Sequence, residues 1–362
     1  MYSRQWKCHL LALLISIHNA CTFQLNINCH QLYKQNIAFI TSLKLQKSSV
    51  INAQDITIPI IYEDERILAI CKPPHIPHHD DPQTSQLGIL SLLRQQQAEA
   101  SFPYPDRLYG VHRLDRVTSG ILLFAKDSET ANELITKFRQ KEVKKYYVAI
   151  SGKKPKKKKQ GWVQGRMVMG RRGSYKLLNE KEEKSQVNAD EDDDCGGKSK
   201  SSDARGGYAK TRFYTAGLGN LELAYVPTVR EDTVDEPTQF AMPKTAILFE
   251  PHTGKTHQLR VAAKAVGLPI LGDERYGGGG LHSTESMENK SSLFQRTYLH
   301  ASAIHFKMNA GYNVTICSKP PFNHLFAEHD QSKNSWNDVL EATMEKHCDC
   351  MPILDAMRSM LN

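Results

Sequence analysis

Gly110-Val111-His112-Arg113-Leu114-Asp115-Arg116-Val117-Thr118-Ser119-Gly120-Ile121-Leu122-Leu123-Phe124-Ala125-Lys126 is the stretch on which the reading of this chain turns. One acid, Asp115, stands between two arginines among polar and turn-forming residues. An apolar run of strand length, 121–125, follows Gly120. Asp115 is therefore expected on a loop that feeds a buried strand. Arg113 and Arg116 favour its ionised form, because nearby positive charge stabilises a carboxylate. An ionised, positioned carboxylate serves as nucleophile or base. An isolated Arg-x-Asp-Arg is ordinarily a surface loop with local ion pairs, so the stretch needs support from elsewhere.

Two further stretches supply it. Lys145-Tyr146-Tyr147-Val148-Ala149-Ile150-Ser151-Gly152 is aromatic and β-branched and ends in glycine, which predicts a strand. Taken alone, a tyrosine there is a core residue. Residues 246–250 predict another strand, followed by Gly254-Lys255-Thr256-His257-Gln258-Leu259-Arg260. The pattern is a tight glycine turn into a helix, with Thr256 as N-cap and Gly267 as the stop. Arg260 falls near the first turn, where an arginine is ordinarily a solvated charge.

The opening stretch resembles the His-Arg-Leu-Asp-x-x-Thr-Ser-Gly motif of RluA-type pseudouridine synthases at His112, Arg113, Leu114, Asp115, Thr118, Ser119 and Gly120. Residues 145–149 resemble that family's Lys-x-Tyr-x-Ala, which aligns Tyr147 with its active-site tyrosine. Residues 254–260 match its Gly-Arg/Lys-Thr-His-Gln-Ile/Leu-Arg at all seven places. Lys72-Pro73-Pro74-His75 resembles the opening motif, with His75 where a glycine is usual, and Arg296-Thr297-Tyr298-Leu299-His300-Ala301 resembles a later one. The resemblance covers residues 56–326 and implies an α+β chain with the pseudouridine synthase fold: a mixed, mainly antiparallel sheet with flanking helices and a central RNA-binding cleft. It implies isomerisation of uridine to pseudouridine in structured RNA, rRNA or tRNA, with no metal or cofactor. Asp115 would be the catalytic residue, Arg260 its ion-pair partner, and Tyr147 a ring stacked on the extruded uracil. His112, Arg113, Arg116, Thr118, Lys145, Thr256, His257 and Gln258 are the expected substrate-binding side chains. Whether Asp115 acts as nucleophile or as the base that removes the 2′ proton stays open. The rival readings are a non-catalytic RNA-binding protein on the same scaffold and a hydrolase using Asp115 with His112 or His257. No Gly-x-Ser-x-Gly or His-Glu-x-x-His motif supports the hydrolase.

Composition agrees with an anionic partner. The 362 residues carry 47 Lys and Arg against 39 Asp and Glu, a net charge of +8. Eight cysteines include no Cys-x-x-Cys pair, and the close pair Cys348-Asp349-Cys350 fits neither a zinc knuckle nor a disulfide framework. The first acid is Asp55. Arg4 and Lys7 precede a short apolar run, 10–17, with small residues at Ala20 and Cys21. This is signal-peptide-like over 1–21 and transit-peptide-like over 22–55. It predicts an organelle, the plastid first and the mitochondrion second, with cytoplasm or nucleus if the segment is not a presequence. The mature chain is expected as a monomer off the membrane.

The catalytic domain is expected over 56–330. Within it, a charged insertion at 153–206 includes a lysine run, 153–159, and an acidic tract, 190–194, that predict partial disorder. Residues 162–178 predict a strand or two inside it. Residues 87–97 predict a short helix. After the strand at 121–125, Asp127 or Ser128 caps a helix whose apolar stripe is Ala131, Leu134, Ile135 and Phe138. The tail, 331–362, predicts one amphipathic helix capped by Ser335, with Val339, Leu340, Thr343 and Met344 on its apolar side.

Overall fold

The computed structural model describes residues 50–53, 56–99, 107–156, 158–178, 207–221, 242–279, 296–326 and 335–361. The signal-like segment, most of the transit-like segment and the acidic tract lie outside the described residues.

In chain order the strands are β1 (Val50–Ala53), β2 (Ile56–Glu63), β3 (Ile67–Lys72), β4 (Tyr109–Gly110), β5 (Ser119–Ala125), β6 (Lys144–Ser151), β7 (Gln160–Met169), β8 (Tyr175–Leu177), β9 (Gly207–Gly217), β10 (Thr245–Pro251), β11 (Leu299–Lys307) and β12 (Asn313–Cys317). They form one sheet in the order β1-β2-β3-β5-β11-β6-β10-β9-β7-β8, with β12 beside β11 and β4 beside β5. Every pair is antiparallel except β11 with β5. This is the mixed, mainly antiparallel sheet expected. The parallel pair is close: a Cβ on Gly120, whose φ is +111°, would run into the Ala301 backbone. Only glycine lets β5 lie that near β11.

The described helices are α1 (Ile89–Glu99), α2 (Ser128–Gln140), α3 (Gln258–Ala265), α4 (Trp336–His347) and α5 (Met351–Leu361). Helix α2 starts at an Asp127 N-cap, whose carboxylate accepts from the Thr130 amide. The expected stripe is corrected at one place. Ile135 is 41% exposed, and the buried face runs through Thr130, Ala131, Leu134 and the stem of Lys137.

The sheet has two covered faces. Cross-strand neighbours share a face, so the pairings Phe249 with Tyr147 and Phe249 with Phe213 place those three rings together. Helix α3 packs its Leu259, Ala262 and Ala263 over that face. The next residue on each strand points the other way: Tyr146, Val148, Leu248 and Tyr214 pack under α4 and α5 with Trp336, Leu340, Met344, Ile353 and Met357. A third cluster joins β3 and β5 to α1 and α2.

Two boundaries differ from expectation. The sheet reaches back to Val50, because β1 pairs with β2 through Ala53 to Ile56. Ordered structure thus begins inside the stretch read as transit peptide. Strands β7 and β8 fall where a strand or two was expected within the insertion. The tail holds two helices rather than one, and both pack on the sheet.

Candidate active site

The Asp115 turn is closed by its own backbone, with the Thr118 amide donating to the Asp115 carbonyl at 3.0 Å. Lys72 fastens it from behind. This lysine ends β3, is fully buried, and donates from Nζ to the carbonyls of Pro73 (2.8 Å), Ile76 (2.9 Å) and Arg116 (3.2 Å). One ammonium therefore ties the loop after β3 to the turn that carries Asp115. Burial pushes the Lys72 amine down to about 7, against the opposing pull of the Asp115 charge.

His75 keeps the backbone that a glycine would have there. Its φ is +69°, held by its amide on the Arg116 carbonyl (2.8 Å) and by the Arg116 Nε on its own carbonyl (3.1 Å). The departure from the usual glycine changes the side chain and leaves the left-handed turn in place.

Arg260 enters from α3. The helix begins not at Thr256 but after His257, which is left-handed at φ +57° and makes no side-chain cap. Gln258 instead ties down the loop before the helix, its Oε1 accepting from the Thr253 hydroxyl (2.8 Å) and the Lys255 amide (2.9 Å). Its amide nitrogen donates to the Lys210 carbonyl and the Thr211 hydroxyl. Gln258 is thus committed to the protein, which corrects its reading as a substrate contact.

The Arg260 guanidinium lies between two carboxylates. Nε and Nη2 grip Asp273 side-on at 2.7 and 2.8 Å, and Nη1 reaches the Asp115 Oδ2 at 3.6 Å. Arg260 and Asp273 are buried, while 17% of the Asp115 side chain is exposed. Burial alone would lower the Arg260 pKa, but the hydrogen bond to Asp273 and the two negative charges raise it instead. The Tyr276 ring lies 5.0 Å from the guanidinium carbon, and its hydroxyl meets His257 Nδ1 at 2.9 Å. Asp273 and Tyr276 were not singled out from the sequence. Their signal was the position of Gly272-Asp273-Glu274-Arg275-Tyr276 directly after the Arg260 helix.

Tyr147 points to the same side as α3, and burial and then the Asp115 charge raise the pKa of its phenol. Tyr146 points to the opposite face and donates to Asp349 at 2.8 Å. The structure therefore brings together Asp115, Arg260 and Tyr147, with His257 beside them, its pKa lowered by burial against the opposing pull of the Asp115 charge.

Other expected contacts go elsewhere. His112 accepts the Leu123 amide at 3.0 Å and stacks on Phe138 at 4.7 Å; burial lowers its pKa to about 3. Arg116 reaches Asp81 at 3.8 Å. Lys145 lies over the Phe138 ring, and burial lowers its amine to about 8. Thr118 is buried in the turn, Thr256 is half-buried, and Arg113 is exposed. Among the described residues, neither Arg113 nor Arg116 forms an ion pair with Asp115, so the cation beside it comes from Arg260 and not from its chain neighbours.

Chemically, this is one accessible carboxylate with a fixed cation and an aromatic ring beside it. It suits attack at, or deprotonation of, a substrate presented through the open side. A family model described as RNA pseudouridylate synthase matches residues 66–265. An RNA pseudouridine synthase of Haemophilus influenzae, called uncharacterized, is 32% identical over 261 residues, covering 72% of this chain and 87% of that protein. A tRNA pseudouridine synthase C of Pasteurella multocida is 32% identical, covering 72% and 91% respectively. A ribosomal large subunit pseudouridine synthase C of Vibrio vulnificus is 31% identical, covering 73% and 64%. By the family match and the relatives at this identity, the chain belongs to the RNA pseudouridylate synthase family.

Proposed function

We propose that the chain isomerises specific uridines in structured RNA, either tRNA or rRNA, and that Asp115 begins the reaction. The observation that carries the assignment is the Arg260 guanidinium, held by Asp273 and presenting Nη1 to the one partly open carboxylate. The N1–C1′ bond breaks, the uracil turns, and a C5–C1′ bond forms. The C5 proton leaves and N1 gains one, so atoms and charge balance. Asp115 acts as nucleophile or as the base for the 2′ proton. Arg260 holds it ionised and aimed, and Tyr147 stacks on the extruded base. Exposed Arg113 contacts RNA at the rim.

Tritium at uracil C5 is released only if that proton leaves. Asp115→Asn is expected to abolish release while RNA binding and melting temperature stay near wild type. Release at the wild-type rate would remove Asp115 from the chemistry. A wild-type protein that binds RNA but releases no tritium from any cellular RNA would favour a non-catalytic binder.

Residues 1–49 are proposed as organelle-targeting sequence, supported by their lack of acids and the short apolar run. Fused to a fluorescent protein in the native host, they should direct it to an organelle, most readily the plastid; diffuse fluorescence would reject this. The protein is proposed to work as a monomer, which light scattering of the purified chain would check.

A further inference from the structure

The side chain that the proposed reaction leaves unused is Trp162. It stands on β7 opposite Arg212 of β9, which in turn is opposite Glu250 of β10. That register puts it on the face away from Tyr147. Beside Trp162, among the described residues, β7 has no neighbour but β9, because β8 joins β7 only at Met167–Met169. The indole is 43% exposed. Lys210 Nζ lies 4.4 Å from its centre, the Arg212 guanidinium 5.4 Å, and the His252 ring 4.9 Å. The nearby carboxylate, Glu250, is buried and turned to His252 at 3.4 Å. Among the described residues, Lys210 and Arg212 form no ion pair with an acid.

The connection that carries the lysine run lies on the other face, because Thr215 and Thr245, which hold it, share the face of Phe213 and Phe249. Its backbone is anchored at both ends, the Lys153 carbonyl accepting from Thr245 at 2.8 Å and the Lys159 carbonyl from Thr215 at 2.7 Å. Lys153, Lys154, Lys156, Lys158 and Lys159 are exposed, and β7 starts at the next residue. An exposed indole flanked by two cations that form no ion pair matches what single-stranded RNA requires. It offers a ring on which a base stacks and positive charges that follow the phosphates. A protein partner would be recognised by an apolar patch or by a pattern of both charge signs. Here one ring stands among charges of one sign.

We propose that Trp162, Lys210 and Arg212 form a second RNA site that holds a single strand flanking the modified uridine, on the sheet face away from Asp115. The proposal rests on the RNA-modifying reading for its partner, but its test does not use catalysis. The probe is a fluorescently labelled oligouridylate of about twelve nucleotides, a length within reach of one such groove. Binding to the full chain is measured by anisotropy across a salt series.

Trp162→Ala is expected to weaken binding about tenfold, the loss of one stacked base. Trp162→Tyr keeps a ring and should retain most of it. Lys210→Gln with Arg212→Gln should reduce the slope of log affinity against log salt by about 1.4, the share of two phosphate contacts on a single strand. Because Trp162 is exposed, melting temperatures should not move. Equal affinity for wild type and Trp162→Ala would overturn the proposal. So would a polyglutamate that competes as well as polyuridylate of equal charge, since that marks a surface selecting charge alone, as an acidic protein would use. An Asp115→Asn protein that still needs Trp162 for oligonucleotide binding separates this site from the reaction. A failure to release tritium would leave it standing.

Discussion

Arg260 has one guanidinium for two carboxylates, and the division between them is unequal. Asp273 takes the two-pronged edge and Asp115 takes one nitrogen at longer range. A flexible lysine offers a point charge in place of the planar fork. In Arg260→Lys the buried Asp273 keeps a positive neighbour but loses the two-pronged geometry that holds it. The charge beside Asp115 is no longer fixed. Single-turnover isomerisation at saturating RNA should fall on the order of a hundredfold or more, with the RNA dissociation constant nearly unchanged. Asp273→Asn should fall in the same direction, although Asp273 is not expected to touch substrate. A wild-type single-turnover rate in Arg260→Lys with weakened binding would reassign Arg260 to RNA positioning. The pairing of Asp115 with Arg260 was legible because both lie in continuous motifs. The grip of Asp273 was not, because the stretch around it marks a position in the chain and says nothing of which side chain the carboxylate meets. Nor was the partner of His112, whose imidazole is spent on the Leu123 amide.

The elements most legible in sequence were those whose pattern and burial agree. Strand β5 reads as an apolar run and is buried at every position. Helix α4 starts at the expected Ser335 with a full capping box. Where local and tertiary effects compete, the reading slipped. Thr256 is a good capping residue by type, yet Gln258 reaches back to satisfy the loop and the helix starts later. Helix α5 was missed because its apolar positions follow directly on the Cys348–Cys350 turn and its proline. These two tail helices are integral to the core. Trp336, Leu340, Met344, Ile353, Leu354 and Met357 are all buried against the sheet. Six such side chains at about 1.5–3 kcal/mol each match the whole stability of a typical domain, about 5–15 kcal/mol. A chain ending at residue 334 should therefore aggregate or lose its cooperative melt. Leu340→Ala should fold with a loss of about 2–5 kcal/mol. A soluble truncated chain with the wild-type melting temperature would show that the tail is an appendage.

At the scale of the whole molecule, the buried ionisable groups set how the protein answers pH. His112 and His300 are each held at about 3 by burial, against an ordinary 6.5. Lys145 adds to the effect at His112 and Arg296 at His300. His300 is further committed to Ser119 at 2.9 Å and Ser318 at 3.1 Å. Between pH 3 and 6.5 the unfolded chain binds protons at these two sites that the folded chain refuses. Stability then rises with pH across that window and is lost as pH falls through it, by about 1.4 kcal/mol per pH unit for each imidazole. Lys72 acts in the same direction higher up, because its amine is at about 7 folded and 10.5 unfolded. Between those values the unfolded chain again holds the extra proton, so stability continues to rise. The two windows together place the maximum on the alkaline side of neutrality. Urea denaturation from pH 4 to pH 9 should show a midpoint that climbs steeply below pH 6.5 and gently above pH 7. In His112→Gln the amide oxygen can still accept the Leu123 amide, so the fold should persist while the acid slope drops by one imidazole's share. An unchanged slope in that variant would mean that His112 is protonated in the folded protein. Its ring would then be open to water and available to substrate, as the sequence had suggested.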